Sequence, residues 1–201
     1  MPLILKESGG KKYDPIPAGT HQAVCYRIWD LGTQTSQWGK KRQIRIAWEL
    51  PEQRMEIEGV DLPKTMSRPF TNSLHKKSIL RPFLEGWRGK QFTSDELEGF
   101  DLSNIIGVNC MLQVMHKQVG ENTYANITAA MPLMSNFKEL QPENKPFCWS
   151  LEDGTPIPDE TPEWIVKIIE ESEEWGQEEE DVLANDPVNE IKDNEEDDLP
   201  F

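Results

Sequence analysis

The sequence predicts a mainly β protein that ends in an acidic tail. Five segments alternate apolar and polar residues with the period of two that is typical of strands, and one amphipathic segment with helical spacing stands between the third and the fourth. Residues 151–201 hold 20 Asp and Glu against 2 Lys and Arg, whereas residues 1–150 hold 16 Asp and Glu against 19 Lys and Arg. A slightly basic body therefore precedes a tail whose like charges are expected to keep it extended and solvated.

The three strands predicted for the N-terminal half are separated by polar residues. Gly32 is expected to end the first strand, and residues 33–42 are expected to form a polar loop with three consecutive cations. Residues 51–63 have the composition of a polar connection that can hold a short strand near Met55-Glu56-Ile57. Pro69 indicates that the third strand lies at an edge or carries a bulge. The predicted strands are His21–Leu31, Gln43–Leu50 and Lys64–Thr71.

A helix is predicted after the third strand, from about Leu74 to Gly86, because Asn72-Ser73 can cap it and its apolar residues recur at helical spacing. Pro82 lies inside this segment and is expected to kink or divide the helix. Short capped helical turns are expected at residues 93–97 and 101–104. The fourth and fifth strands are predicted over Gly107–Lys117 and Thr123–Ala130.

Three strands, a helix and two strands is the element order of an OB-fold, a small five-stranded Greek-key barrel. Another small β-barrel or an α+β sandwich would also accommodate this order. The barrel is predicted over residues 15–134, after a flexible N-terminal arm over residues 1–14. Residues 135–175 are predicted to be a proline-containing segment that ends in a helix capped by Thr161. The apolar stripe of this helix, Trp164, Ile165, Ile168 and Ile169, either docks on the barrel or serves dimerisation. Residues 176–201 are predicted to be the disordered acidic tail.

The sequence carries none of the motifs that would indicate catalysis or a metal site. The three histidines, His21, His75 and His116, share no spacing, and there is no Gly-rich phosphate loop, HExxH sequence or CxxC pair. The three cysteines are far apart and are expected to be reduced thiols. We therefore predict no enzymatic activity, cofactor or metal. Without a long apolar run or a signal peptide, the protein is expected to be soluble, cytoplasmic and without a membrane partner.

Cations and aromatic residues occur together in the body and predict a surface for single-stranded DNA. Cations neutralise phosphates and flat rings stack unpaired bases, which an OB-fold does with its second and third strands and its first and fourth loops, here residues 31–42 and 116–122. Trp38 is expected to be exposed and Trp48 to lie in the core, while Trp29 fits either place. The candidate DNA-binding residues are Trp29, Trp38, Lys40, Lys41, Arg42, Arg45, Arg68, Phe70, Lys76, Lys77, Lys117 and Tyr124.

The last five residues, Asp197, Asp198, Leu199, Pro200 and Phe201, resemble the C-terminal tip of bacterial and phage single-stranded DNA-binding proteins. Those proteins end in acidic residues, one aliphatic residue, proline and phenylalanine. The resemblance implies an OB-fold body that coats the strand and a tip that recruits replication, recombination and repair enzymes. It implies that Pro200 and Phe201 anchor the tip to a partner and that Asp197 and Asp198 support them electrostatically.

The rest of the chain departs from that family, because its connections are longer and it lacks a Gly/Gln/Pro-rich linker before the tip. Residues 162–175 look like segments of small phage proteins from replication modules, so a phage-encoded protein in the host cytoplasm is expected. The bacterial route to a tetramer is not implied, and a homodimer stays open.

Three functional hypotheses follow from the sequence. The first is a non-catalytic protein that coats single-stranded DNA in phage replication, recombination and repair and recruits enzymes through its tip. The second is an acidic adaptor or DNA mimic that binds no nucleic acid, and the third is a strand-annealing recombination protein. The cations at residues 40–42 favour a DNA-binding protein over a mimic.

Overall fold

The structure is a computed structural model that describes residues 14–37 and 39–175. It is mainly β, which confirms the class predicted from the sequence. Its strands are β1 (Gly19–Ser36), β2 (Gly39–Ile57), β3 (Val60–Thr71), β4 (Asn109–Val119), β5 (Asn122–Pro132) and β6 (Phe147–Trp149). Its helices are α1 (Leu80–Arg88), α2 (Ser94–Glu98) and α3 (Glu163–Glu170), with single 3₁₀ turns at Leu102–Ile105 and Leu151–Asp153.

The five long strands form one sheet in the order β3-β2-β1-β4-β5, with antiparallel neighbours throughout. The first residues of β1 pair with β4, and the rest of β1 pairs with β2. The short strand β6 pairs in parallel with the middle of β1. Strands β3 and β5 are the two ends of this path, and the described residues form no ladder between them, so the sheet is open.

Strand β1 separates two hydrophobic cores. On one side Cys25 and Ile28 pack with Trp48 of β2 and with the apolar face of α1. On the other side Trp29 packs with residues of β6 and α3. Burial on both faces explains the near-continuous apolar sequence of β1, and the complete burial of Trp48 confirms its predicted place in the core.

The first hairpin is longer and tighter than predicted. Gly32 does not end β1, because the strand passes through a bulge between Asp30 and Thr33 and pairs with β2 up to Ser36 and Gly39. Gly32 takes φ +66 there, and a Cβ at this position would lie 2.5 Å from the Cβ of Ser172. Glycine is therefore needed for both its backbone angle and its small size. The predicted polar loop is strand up to residue 36 and from residue 39 onward.

The predicted polar connection between the second and third strands is also mostly strand. β2 continues to Ile57 through an irregularity between Leu50 and Arg54, and β3 already begins at Val60. The turn uses Glu58 at φ 53 and Gly59 at φ 82, the pair of positive angles that a tight hairpin turn requires. The short strand expected near Met55-Glu56-Ile57 is the end of β2, and the rest of the extension looked like a polar connection because its side chains are exposed or half-buried as far as residue 62.

The helix after β3 begins later than predicted, at Leu80 rather than near Leu74. Pro82 neither kinks nor divides it, because it is the third helical residue and the N–H that proline lacks would have no helical acceptor there. Residues 72–79 form a loop instead. The short helix α2 begins with the expected cap, since Thr93 and Glu96 make a reciprocal capping box.

The C-terminal segment, which we define as residues 143–175, lies across the outer side of β1 and β2. Its first turn is anchored by the fully buried Glu49, whose carboxylate accepts the backbone N–H of Glu143 at 2.8 Å and that of Asn144 at 3.0 Å. Ile165 and Ile169 of α3 fill the outer core. The cap of α3 is Pro162, not the predicted Thr161, whose hydroxyl accepts a hydrogen bond from Trp29. None of the helices in residues 14–37 and 39–175 combines the length and apolar composition needed to cross a membrane.

Candidate nucleic-acid interface

The end of the β1–β2 hairpin carries Lys40 and Lys41 on exposed positions of β2. They pair in register with Thr35 and Gln34 of β1, and both residues are exposed. Lys40 makes an ion pair with Glu173, but its side chain stays 64% exposed. Lys41 has no ion pair with any described residue. These two candidate residues are therefore accessible.

Arg42, the third cation of the run, is held by two carboxylates. It makes a short ion pair with the buried Asp30 and a second pair with Glu152 at 2.5 Å. The hydrogen bond to Asp30 raises the pKa of the Arg42 guanidinium above its ordinary value. Arg42 thus joins the bulge of β1 to the C-terminal segment, and its charge is already neutralised.

The loop over residues 72–79 brings two further cations beside the hairpin. The N–H of Asn72 donates to the carbonyl of Arg42 at 2.9 Å, directly after the last β2–β3 pair. Ser78 fixes the loop by donating from its hydroxyl to the carbonyl of Ser73 at 2.6 Å. Lys76 and Lys77 are exposed, and no acidic residue occupies the first turn of α1 behind them. The positive N-terminal end of the α1 dipole therefore adds to the positive potential of the two ammonium groups.

A depression of about 210 Å³ opens between the hairpin and this loop. Lys41 precedes one of its lining residues, Gln43, by two positions, and Lys77 precedes another, Ile79, by two positions. Ile79 is 65% exposed, which is high for a large aliphatic side chain. The depression is lined by Gln43, Arg68, Pro69, Phe70, Thr71 and Ile79.

Arg68 and Phe70 belong to the inner side of β3 rather than to the surface. The guanidinium of Arg68 donates to the carbonyls of Ile127 at 3.0 Å and Thr128 at 3.3 Å on β5, so it bridges the open side of the sheet. Burial lowers the pKa of Arg68 from its ordinary value. Phe70 is buried against Phe83, with ring centroids 4.9 Å apart. Both residues line the depression, and Phe70, which is 5% exposed, presents no free ring face.

Lys117 and Tyr124 lie on the β4–β5 hairpin, directly opposite each other in the ladder. Tyr124 is 52% exposed and contributes to a second cleft of about 440 Å³ between β3 and β5. Because β1 pairs with β4 through its first residues, this hairpin extends past the opposite end of β1 from Lys40. The two candidate groups are therefore at opposite ends of the sheet.

Trp29 is 1% exposed and lies under the C-terminal segment. Its indole N–H donates to Thr161 Oγ1 at 3.0 Å, and the edge of Phe147 packs against it at 5.5 Å. No face of this ring is open to a base in the structure. The candidate residues Trp38, Asp197, Asp198, Leu199, Pro200 and Phe201 lie outside the described part of the chain.

Arg45 lies on the outer side of β2 under the ring of Trp164, a residue that the sequence analysis assigned to helix docking. The guanidinium carbon is 4.6 Å from the Trp164 ring centroid, and Nη1 donates to Ser67 Oγ at 3.0 Å. Burial lowers the pKa of Arg45 from its ordinary value. Trp164 was missed as a candidate site residue because it was counted in the apolar stripe of the predicted helix. A helical projection centred on Ile165 and Ile169 places Trp164 about 120° from the centre of the buried face, which would have predicted its exposure.

In residues 14–37 and 39–175, no group of three or more His, Cys, Asp and Glu side chains is placed to hold a metal ion. The accessible features are cationic and apolar instead, namely Lys40, Lys41, Lys76 and Lys77 around a depression. Such a surface can neutralise phosphates and receive an unstacked base.

No protein-family model matches the chain, and no curated protein matches it.

Proposed function

We propose that this chain is a non-catalytic single-stranded DNA-binding protein. The observation that carries the proposal is the group of four exposed lysines, Lys40, Lys41, Lys76 and Lys77, on two adjoining segments that each continue into the lining of one open depression. Cations in such an arrangement neutralise successive phosphates of one strand. The depression offers an apolar surface to a base, which only an unpaired strand can supply.

The proposal includes a partly open OB-fold barrel for the body. The strand path β3-β2-β1-β4-β5 supports this part of the proposal, because a five-stranded Greek-key barrel opened between its third and fifth strands would have the same order. Two contacts support this interpretation, since Arg68 of β3 reaches Ile127 of β5 and residues 64–67 face residues 123–125 across the second cleft. Residue numbers increase in the same direction along the two strands, from residues 64–67 opposite 123–125 to Arg68 opposite Ile127. Strands β3 and β5 are therefore parallel to each other. Arg68 takes the role that a backbone ladder has in a closed barrel.

The acidic tip completes the proposed function. Pro200 and Phe201 are the groups that a replication, recombination or repair enzyme would recognise, as the resemblance to single-stranded DNA-binding proteins implies. The body would then coat the strand while the tip recruits the enzyme. Deletion of Pro200-Phe201 should abolish binding of such an enzyme and leave DNA binding unchanged, because the deletion removes no cation and no carboxylate side chain.

Fluorescence anisotropy with labelled oligo(dT) and with a duplex of equal length tests the proposal. We expect oligo(dT) to bind at low salt with a negative linear dependence of log K on log salt, and the duplex to bind more weakly. Absence of oligo(dT) binding at low salt would favour the acidic adaptor. Addition of a complementary strand to the saturated complex tests annealing, because an annealing protein would accelerate duplex formation.

A further inference from the structure

Trp164 is a half-exposed tryptophan at the start of α3. Four other tryptophans in the described part of the chain, Trp29, Trp48, Trp87 and Trp149, are at most 5% exposed, whereas Trp164 is 48% exposed. The helix does not need this ring for docking, since Ile165 and Ile169 supply its buried face. One face of the indole lies on Arg45, and the exposed surface of the ring is available to another planar group.

Arg45 is a cation without a counter-charge in the described part of the chain. No carboxylate there forms an ion pair with it, and its buried Nε has no hydrogen-bond partner. By contrast, Arg42, three residues earlier, is paired with two carboxylates. A half-buried guanidinium loses hydration that only an anion or further acceptors can replace. Arg45 is therefore prepared for a ligand that brings negative charge.

The position of Arg45 connects it with the proposed DNA surface. It pairs in register with Pro69 of β3, which lines the depression between the hairpin and the loop over residues 72–79. Gln43, two residues earlier on the same side of β2, lines that depression as well. A strand that passes the lysines and the depression would reach Arg45 and Trp164 next.

We infer that Trp164 and Arg45 form a nucleotide subsite in which one base stacks on the indole and the adjoining phosphate pairs with the guanidinium. This inference rests on the proposed function and adds a residue of the C-terminal segment to the binding surface. Arg45 already polarises the indole through a cation–π contact and is held on one side by Ser67. One nucleotide would then place its base on the indole and its phosphate on the guanidinium. The subsite accepts any base, because stacking does not read base edges.

The test compares oligo(dT) with an abasic oligonucleotide of the same length and charge. For Trp164→Ala, loss of one stacked base raises the Kd for oligo(dT) by about 5- to 150-fold, whereas the Kd for the abasic strand changes by less than about twofold, since no base is present to stack. Trp164→Phe should recover most of the affinity for oligo(dT). Lys167→Ala on the same helix is the matched control and should leave the discrimination between the two strands intact.

Arg45→Gln should weaken both strands to the same extent, because the phosphate is common to them. The salt slope of log K should become shallower by about 0.7, the value for one phosphate contact on a single strand. An unchanged slope would contradict the role assigned to Arg45.

Photo-cross-linking of the unaltered full chain provides a measurement that does not depend on a variant's folding. Oligo(dT) with one 5-iodouracil should form a cross-link in the peptide that contains Trp164. Cross-links that never include this peptide, or an equal penalty of Trp164→Ala on oligo(dT) and the abasic strand, would show that Trp164 only docks α3. If the unaltered protein binds oligo(dT) in either case, the proposed function stands and this inference alone fails.

Discussion

The end of the β1–β2 hairpin has two sides that carry similar residues in sequence but differ in what those residues contact. On the paired side, toward the C-terminal segment, Arg42 and Thr33 are engaged by Asp30, Glu152 and Glu174. On the open side, toward the loop over residues 72–79, Lys41, Lys76 and Lys77 form no ion pair with a described residue, and Lys40 stays 64% exposed although it pairs with Glu173. Arg42, which is paired with carboxylates, holds the fold together, whereas the exposed lysines are available to a ligand.

The largest effect is expected on the open side. The triple variant Lys41→Glu, Lys76→Glu and Lys77→Glu should weaken oligo(dT) binding by more than about 100-fold at low salt and flatten the salt slope by about 2, since three single-strand phosphate contacts are lost. The free energy of unfolding should change little, because all three side chains are exposed.

Anisotropy titrations at several salt concentrations measure this effect. A variant with Lys90→Glu, Lys138→Glu and Lys167→Glu carries the same change in net charge at exposed positions elsewhere. If both triple variants lose affinity equally, the open side has no special role and only net charge matters.

On the paired side, the main effect of a substitution should be on stability. Arg42→Ala leaves the carboxylate of Asp30 buried without its counter-charge, and we expect the free energy of unfolding to fall by about 3 kcal/mol. Urea unfolding followed by circular dichroism measures the change. Arg54→Ala, which breaks ion pairs with the exposed carboxylates of Asp61 and Glu143, should have a smaller effect. Equal losses in the free energy of unfolding would mean that the burial of Asp30 does not determine how much Arg42 contributes to stability.

The difference between Arg42 and the exposed lysines also shows what the sequence could predict. The alternation of apolar residues identified Trp48 as a core residue, because the residues of one strand are enough to predict which of its faces is buried. The charges of Lys40, Lys41 and Arg42 look equivalent in sequence. Only the contacts of Arg42 with the buried Asp30 and with Glu152, which is 110 residues away, separate the structural cation from the available ones. Local patterns do not encode such distant pairings.

The same limit explains the errors at the hairpin and at α3. Gly32 looked like a strand end, because nothing nearby in sequence reveals that Ser172 packs on it. The sequence left open whether Trp29 is exposed or buried. The structure buries it in a second core, to which the C-terminal segment contributes. Trp164 was assigned to the docking stripe, because its neighbour Ile165 carries the same hydrophobic signal.

The close approach at Gly32 predicts a moderate effect on stability. Gly32→Ala and Gly120→Ala place a side chain at φ +66 and φ +60, so both should lose about 1 kcal/mol from backbone strain. A Cβ at Gly32 also meets Ser172, whereas a Cβ at Gly120 meets nothing within 4 Å. Gly32→Ala should therefore lose a further 1–3 kcal/mol, approximately the cost of overpacking. Thermal unfolding of the two variants measures the difference, and equal melting temperatures would exclude the close approach.

The smallest effect is expected from the acidic tail. Residues 176–201 hold 11 Asp and Glu against one Lys, and they follow Glu173 and Glu174, which contact the hairpin at Lys40 and Thr33. A polyanion tethered beside cations has a high local concentration and competes with DNA. Its removal should tighten oligo(dT) binding a few-fold, and more at low salt because screening is weaker there. Deletion of Pro200-Phe201 alone is the control and should not change the affinity.

Hydrogen exchange of the full chain with and without saturating oligo(dT), followed by mass spectrometry, tests the central claim most directly. The account predicts slower exchange in the loop over residues 72–79 and in the first residues of β2, with little change in the backbone of β1 beneath the C-terminal segment. Protection confined to β1 and residues 143–160, with none in the loop, would contradict it, because DNA would then bind on the paired side.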